Sequence, residues 1–127
     1  MIPKFRVWLP DTTQMLRVKA LVFEKDRTRC VCGYSFDFSL EDENATIMQS
    51  TGLCDKEGTE VFEGDILHHQ IQTDYTFIVK YDKDNGRWYG DGLSRTYRID
   101  ITKDFLQYYK VIGNIYENQE LLENKGD

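Results

Sequence analysis

The run from Thr51 to Leu67, TGLCDKEGTEVFEGDIL, is the densest in residues able to do chemistry. It holds Asp55, Glu60, Glu63 and Asp65, and two carboxylates at such spacing could serve as general acid and base. That work requires one carboxyl group out of water, whereas a turn this rich in glycine and charge is wet. A structural role is the plainer expectation. Thr51, Gly52, Asp55, Gly58, Glu63, Gly64 and Asp65 would then shape a hairpin and lead the chain back into a sheet. Gly52, Gly58 and Gly64 recur every six residues, where the backbone needs a positive φ or a close approach. Asp65 is expected to bond backbone amides near Gly64. No nucleophile elbow, phosphate-binding loop or zinc-protease pattern occurs, so no catalytic residue is assigned and no enzyme is expected.

Three cysteines, Cys30, Cys32 and Cys54, and the pair His68-His69 are the candidate metal ligands. Zinc knuckles want two residues between paired cysteines, and Cys30-Val31-Cys32 has one. Adjacent histidines on a strand point to opposite faces, so at most one would reach a common site. Alternation instead puts Cys30 and Cys32 on one strand face as small apolar residues. The thiols are expected reduced and structural, with no metal and no cofactor.

Basic and aromatic residues interleave only in Arg87, Trp88, Tyr89, Arg95, Tyr97 and Arg98. With Lys80, Tyr81 and Lys83 across the Asn85-Gly86 turn, they would suit stacking on single-stranded nucleic acid. The same residues also suit a half-buried hairpin with its aromatics packed inward. Asp82, Asp84, Asp91 and Asp100 cancel much of the local charge. Tyr and Trp are equally favoured as anchors of protein interfaces.

Alternation supplies the elements that must carry these residues. Lys4 to Trp8, Met15 to Phe23 and Thr28 to Phe38 read as three strands of an antiparallel meander. In the third, Cys30, Cys32, Tyr34, Phe36 and Phe38 are expected to face a core. After an acidic connector at 41–44 comes the short apolar piece Ile47-Met48, then the glycine-punctuated run and a strand from Ile66 to Ile71. Tyr75 to Tyr81 is the clearest strand, and Asn85-Gly86 the clearest hairpin signal. Arg87 to Tyr89 is its partner, with Gly90-Asp91-Gly92 read as a break. A strand through Tyr97, Ile99 and Ile101 follows, then a helical turn capped at Thr102 and a strand from Lys110 to Ile115. A short helix over 117–124 closes the chain.

The 127 residues carry a net charge of −6 and 13% aromatics, and the isoelectric point is near 4.9. Acidity at this level opposes phosphate binding unless the 16 basic residues gather on one face. Acid concentrates in 41–65 and at the tail, while five of the seven arginines lie at 17 or earlier and at 87–98. No apolar run approaches membrane-spanning length, and the opening residues lack a signal-peptide core. A cytoplasmic protein without membrane association is expected.

Three stretches together resemble the YopX family, small proteins found mainly in phages and prophages of Gram-positive bacteria. They are Ile2-Pro3-Lys4-Phe5-Arg6-Val7-Trp8, the run from Met48 to Ile66, and Val111 to Leu122 with its Gly113-Asn114 pair. The middle one follows the family pattern QxTGLxDKxGxEIYEGDI, and the last is close to VIGNIYENPELL. Cys54 stands where the family usually has a polar residue, and Gln119 replaces its usual Pro. The resemblance implies a phage or prophage origin in a bacterial host cytoplasm and a mainly β fold. It supplies no activity.

The expected architecture is therefore mainly β, with one or two short helices. Residues 1–49 would form a β meander packed on the main unit. Residues 50–127 would form a small, partly open, SH3-like barrel with a terminal helix. The expected function is a non-enzymatic module that binds a phage or host protein or assembles with itself; a small nucleic-acid-binding module is the alternative.

Overall fold

Residues 4–33, 36–72, 75–93 and 97–122 are described by a computed structural model. Strands take 53% and helices 7% of these residues, so the fold is mainly β. The chain divides into two units, Met1–Gln49 and Ser50–Asp127.

In the first unit, β1 (Phe5–Leu9) runs antiparallel to β2 (Gln14–Arg17). A second sheet is built from β3 (Ala20–Phe23), β4 (Thr28–Val31) and β5 (Asp37–Ser39), in that order. The expected single strand from Met15 to Phe23 is thus two strands in two sheets. The backbone shows why: the Val18 amide donates to Phe5, whereas the next amide, Lys19, donates to Val31. The strand expected over Thr28 to Phe38 is likewise a hairpin, turning at Gly33 with φ +78° and closed by Cys32 N–H on the Phe36 carbonyl. Phe36 thus stays on the face of Cys30 and Phe38, its ring 5.3 Å from that of Phe38, but at the end of the hairpin it is 45% exposed; Cys30, Cys32 and Val7 form the buried cluster that Leu16, Leu21 and Phe38 flank. Tyr34 lies outside the described residues.

Strand β6 (Thr46–Cys54) absorbs Ile47-Met48 into a longer element; its residues 46–49 pair with β1, and Ser50 and Cys54 pair with β7 (Glu60–Phe62). The register shifts between Ser50 and Cys54, at a bulge where Gly52 takes φ +81°.

The second unit holds a curled half-barrel sheet. β8 (Asp65–His69), β9 (Thr76–Asp82), β10 (Arg87–Gly92) and β11 (Arg98–Asp100) form a meander. After the helical turn α1 (Lys103–Leu106), β12 (Tyr109–Asn114) returns antiparallel beside β8. Thr102 caps α1, its Oγ1 accepting from the Phe105 amide at 3.1 Å. Val61, Leu67, Phe77, Val79, Ile101, Leu106 and Tyr109 form the core.

Gly90-Asp91-Gly92 does not break the sheet. β10 runs through it, and a Cβ on Gly90 would stand 3.0 Å from Phe77 Cβ, so glycine lets the Phe77 ring lie across the strand. The expected terminal helix is one 3-10 turn, Gln119–Leu122, within the described residues.

Candidate functional site

Cross-strand register decides what the basic-aromatic stretch can do. Directly opposed residues share a sheet face, so the pairs Arg87/Asp82, Tyr89/Lys80 and Asp91/Ile78 lie on one face of β9–β10. Trp88/Tyr81 and Gly90/Val79 lie on the other, which is the core side. Trp88 accordingly packs on the core and meets Tyr81 edge to face at 4.8 Å between ring centres. Tyr97 sits with its ring 5.8 Å from that of Phe77. The structure therefore brings Arg87, Tyr89 and Arg98 together on the outer face and sends Trp88 inward. Arg95 lies outside the described residues.

On the outer face the cations are matched by carboxylates. Lys80 reaches Asp91 at 2.6 Å, Arg87 reaches Asp100 at 3.3 Å, and Arg98 reaches Asp82 at 3.3 Å. The Arg98 guanidinium also stacks 3.8 Å from the Tyr89 ring centre. Hydrogen bonds from the Asn85 side chain and from the Asn85 and Asp84 amides, with the charge of Arg98, hold Asp82 below the usual carboxylate range. The result is a mixed surface of aromatic rings and paired charges.

The glycine-punctuated run is a set of backbone ties. Asp55 is buried; its Oδ1 accepts the amides of Glu57 and Thr59 at 2.8 and 2.9 Å, and its Oδ2 accepts that of Val111 at 2.8 Å. Gly58, at φ +84°, closes that turn with its amide on the Asp55 carbonyl. Thr51 donates to the Val61 carbonyl at 2.8 Å and accepts from Leu53 across the Gly52 bulge. Beyond half-buried Glu63, the Gly64 amide donates to Val79 and its carbonyl accepts from Ile115, joining β9 and the end of β12. Buried Asp65 takes the Phe62 amide at 2.8 Å. Asn114 Oδ1 accepts the amides of Tyr116 and Glu117, and Gly113 leaves room for Asn118, whose Oδ1 accepts the Asn114 amide at 3.1 Å.

The candidate metal ligands have other occupations. His68 Nδ1 bonds Thr76 Oγ1 at 2.9 Å, and His69 Nδ1 accepts the amides of Ile71 and Gln72. Among the described residues no three His, Cys, Asp or Glu side chains come together as a metal would require. Cys30 and Cys32 are free thiols with sulfurs 3.7 Å apart, and burial pushes Cys30 up to about 12 and raises Cys32 as well. Thiolate is the reactive form, so at neutral to mildly alkaline pH an aromatic disulfide reagent should label exposed Cys54 quickly and the buried pair only on unfolding. Three thiols reacting together in the native protein would contradict this packing.

One feature escaped sequence reasoning. A groove of about 720 Å³ in the first unit is lined by Lys4, Phe5, Arg17, Val18, Lys19, Ala20, Leu21 and Phe23. Its residues come from two places in the chain. The only signal was a basic residue beside an apolar one at the start of β1 and again at the end of β2.

A family model described as YopX protein matches residues 4–123. The chain belongs to the YopX family. Among solved structures it is similar to protein EF1440 from Enterococcus faecalis, at 29% identity and a TM-score of 0.67, covering 97% of this chain and 99% of that one. It shares its fold with the yopX protein of Bacillus subtilis, at 17% identity and a TM-score of 0.60, covering 95% of this chain and 96% of that one. No curated protein matches the chain. Both departures from the YopX pattern fall where the fold tolerates them. Cys54 is exposed, as a polar residue there would be, and Gln119 opens a helical turn, a position that suits proline. Among the described residues no helix is long and apolar enough to cross a membrane.

Proposed function

We propose that this member of the YopX family is a non-enzymatic accessory protein of a phage or prophage, acting in the bacterial cytoplasm by binding another protein. The partner is a phage or host protein or a second copy of the chain. Phage origin and compartment rest on the family resemblance alone. Protein binding rests on the outer face of β9–β11, where Lys80, Arg87 and Arg98 each stand against a carboxylate. A phosphate backbone would have to displace those carboxylates, whereas a protein surface can meet aromatic rings and paired charges together. The four-strand meander, the helical turn and the returning strand support reading the second unit as an SH3-like half-barrel.

Purification of the tagged protein from phage-infected cells, with and without nuclease, tests this. Partners that persist after nuclease are expected, and their complete loss would overturn the proposal. The Arg98 stack on Tyr89 favours the second reading, a single-strand binder. Fluorescence anisotropy with a labelled oligothymidylate should show no saturable binding at about 150 mM salt. Tight binding that weakens steeply with salt would move the assignment to nucleic acid.

A further inference from the structure

The groove of the first unit runs along a strand that has one neighbour among the described residues. β3 pairs with β4 and is an edge of its sheet. Glu24 N–H donates to Arg27, and the register pairs Val22 with Arg29 and Ala20 with Val31. In an antiparallel ladder, alternate residues turn their backbone groups toward the partner strand, so those of Leu21 and Phe23 turn to the open side. Outside the strand ladders no backbone bond reaches either amide among the described residues.

Side chains around this edge combine apolar surface with one sign of charge. Phe23 is 79% exposed, and Phe5, Val18, Ala20 and Leu21 continue the apolar lining. Lys4, Arg17 and Lys19 complete it, and the described lining residues include no carboxylate, in a protein whose net charge is −6; Arg17 and Lys19 also make interactions of their own. Exposed edge strands invite pairing and are commonly blunted by charge. Here the positive charge selects which strand can approach.

We propose that this groove binds an extended acidic peptide, which adds to β3 as a further strand. The Leu21 and Phe23 backbone groups would supply the ladder bonds, Phe5 and Phe23 the apolar contacts, and Lys4, Arg17 and Lys19 the charge complement. The inference rests on the protein-binding reading and names the chemistry of the partner segment.

Titration of the whole protein with an end-capped peptide of alternating Glu and Val, about eight residues long, provides the test when followed by amide NMR. The Leu21 and Phe23 signals should move. A Lys-Val peptide should bind at least about tenfold more weakly, as should the Glu-Val peptide to a Lys4→Glu/Lys19→Glu variant with an otherwise unchanged spectrum. A peptide N-methylated along the edge facing β3 should not bind. Equal binding of the N-methylated peptide would overturn strand addition. Shifts confined to the outer face of β9–β11 would overturn the groove and leave protein binding standing, as would absent shifts alongside nuclease-resistant partners. Movement of Leu21 and Phe23 with oligothymidylate but not with the peptide would overturn the peptide as occupant.

Discussion

Replacing Asp55 with alanine should lower the free energy of unfolding by about 3–5 kcal/mol, more than any surface substitution in this chain. The reason is geometric. In the β8–β12 ladder the Gln70 amide donates to Tyr108, so Tyr109 and Val111 turn their backbone groups away from β8 toward the outer edge of β12. The Asp55 turn occupies that edge: Lys56 N–H donates to the Tyr109 carbonyl, and Val111 N–H donates to Asp55 Oδ2. The other carboxylate oxygen holds the turn itself through Glu57 and Thr59. Alanine would strand three amides at once and open the edge of β12 to pairing with other chains. Asparagine keeps one acceptor oxygen, so Asp55→Asn should cost roughly half as much. Urea unfolding of the two variants beside the native protein measures this. An alanine variant within about 1 kcal/mol of native would remove Asp55 from the structural account.

This tie shows how far the sequence could be read. That Asp55 to Gly58 makes a turn follows from residue types, since Asp closes onto its own backbone and glycine accepts positive φ. That the turn protects β12 follows from register, which links residues 56 apart in the chain. The same limit governs the strands. Phe77 and Val79 alternate with exposed or half-exposed neighbours, and β9 stands close to where that alternation predicts. Alternation through Leu16, Val18 and Ala20 is as regular, but consecutive amides at Val18 and Lys19 change partners, and partner choice leaves no mark on local periodicity. At Gly90 local chemistry pointed to a break, yet the space glycine leaves is filled by Phe77 of the neighbouring strand.

The candidate surface divides in the same way. Period-two alternation already separates Trp88 from Arg87 and Tyr89, so their split between two faces was accessible from the chain. The pairing of Arg98 with Asp82 and of Arg87 with Asp100 was not, because it depends on how β9, β10 and β11 are aligned. That alignment turns a basic-aromatic run into a charge-matched surface, which supports the protein-binding reading already preferred from the sequence. The groove at β3 was hidden for a related reason, since Lys4 and Phe5 reach it from a different strand than Leu21 and Phe23.

The second large effect is expected at Gly113, where alanine should cost about 2–3 kcal/mol. Its backbone does not require glycine, since its φ is not positive; the constraint is space. A Cβ there would fall 2.5 Å from Asn118 Oδ1, 2.6 Å from its Cγ and 2.9 Å from its Cβ, too close for the side-chain tip alone to give way. Moving Asn118 would break its bond to the Asn114 amide, and Asn114 is itself buried while capping Tyr116 and Glu117. The clash and the lost bond therefore act on one small knot after β12. A double-mutant cycle separates this from a general intolerance of the strand. In an Asn118→Gly background the three opposing atoms are gone, so Gly113→Ala should cost under about 1 kcal/mol. If the two substitutions instead add to within about 0.5 kcal/mol, the contact with Asn118 is not what demands glycine.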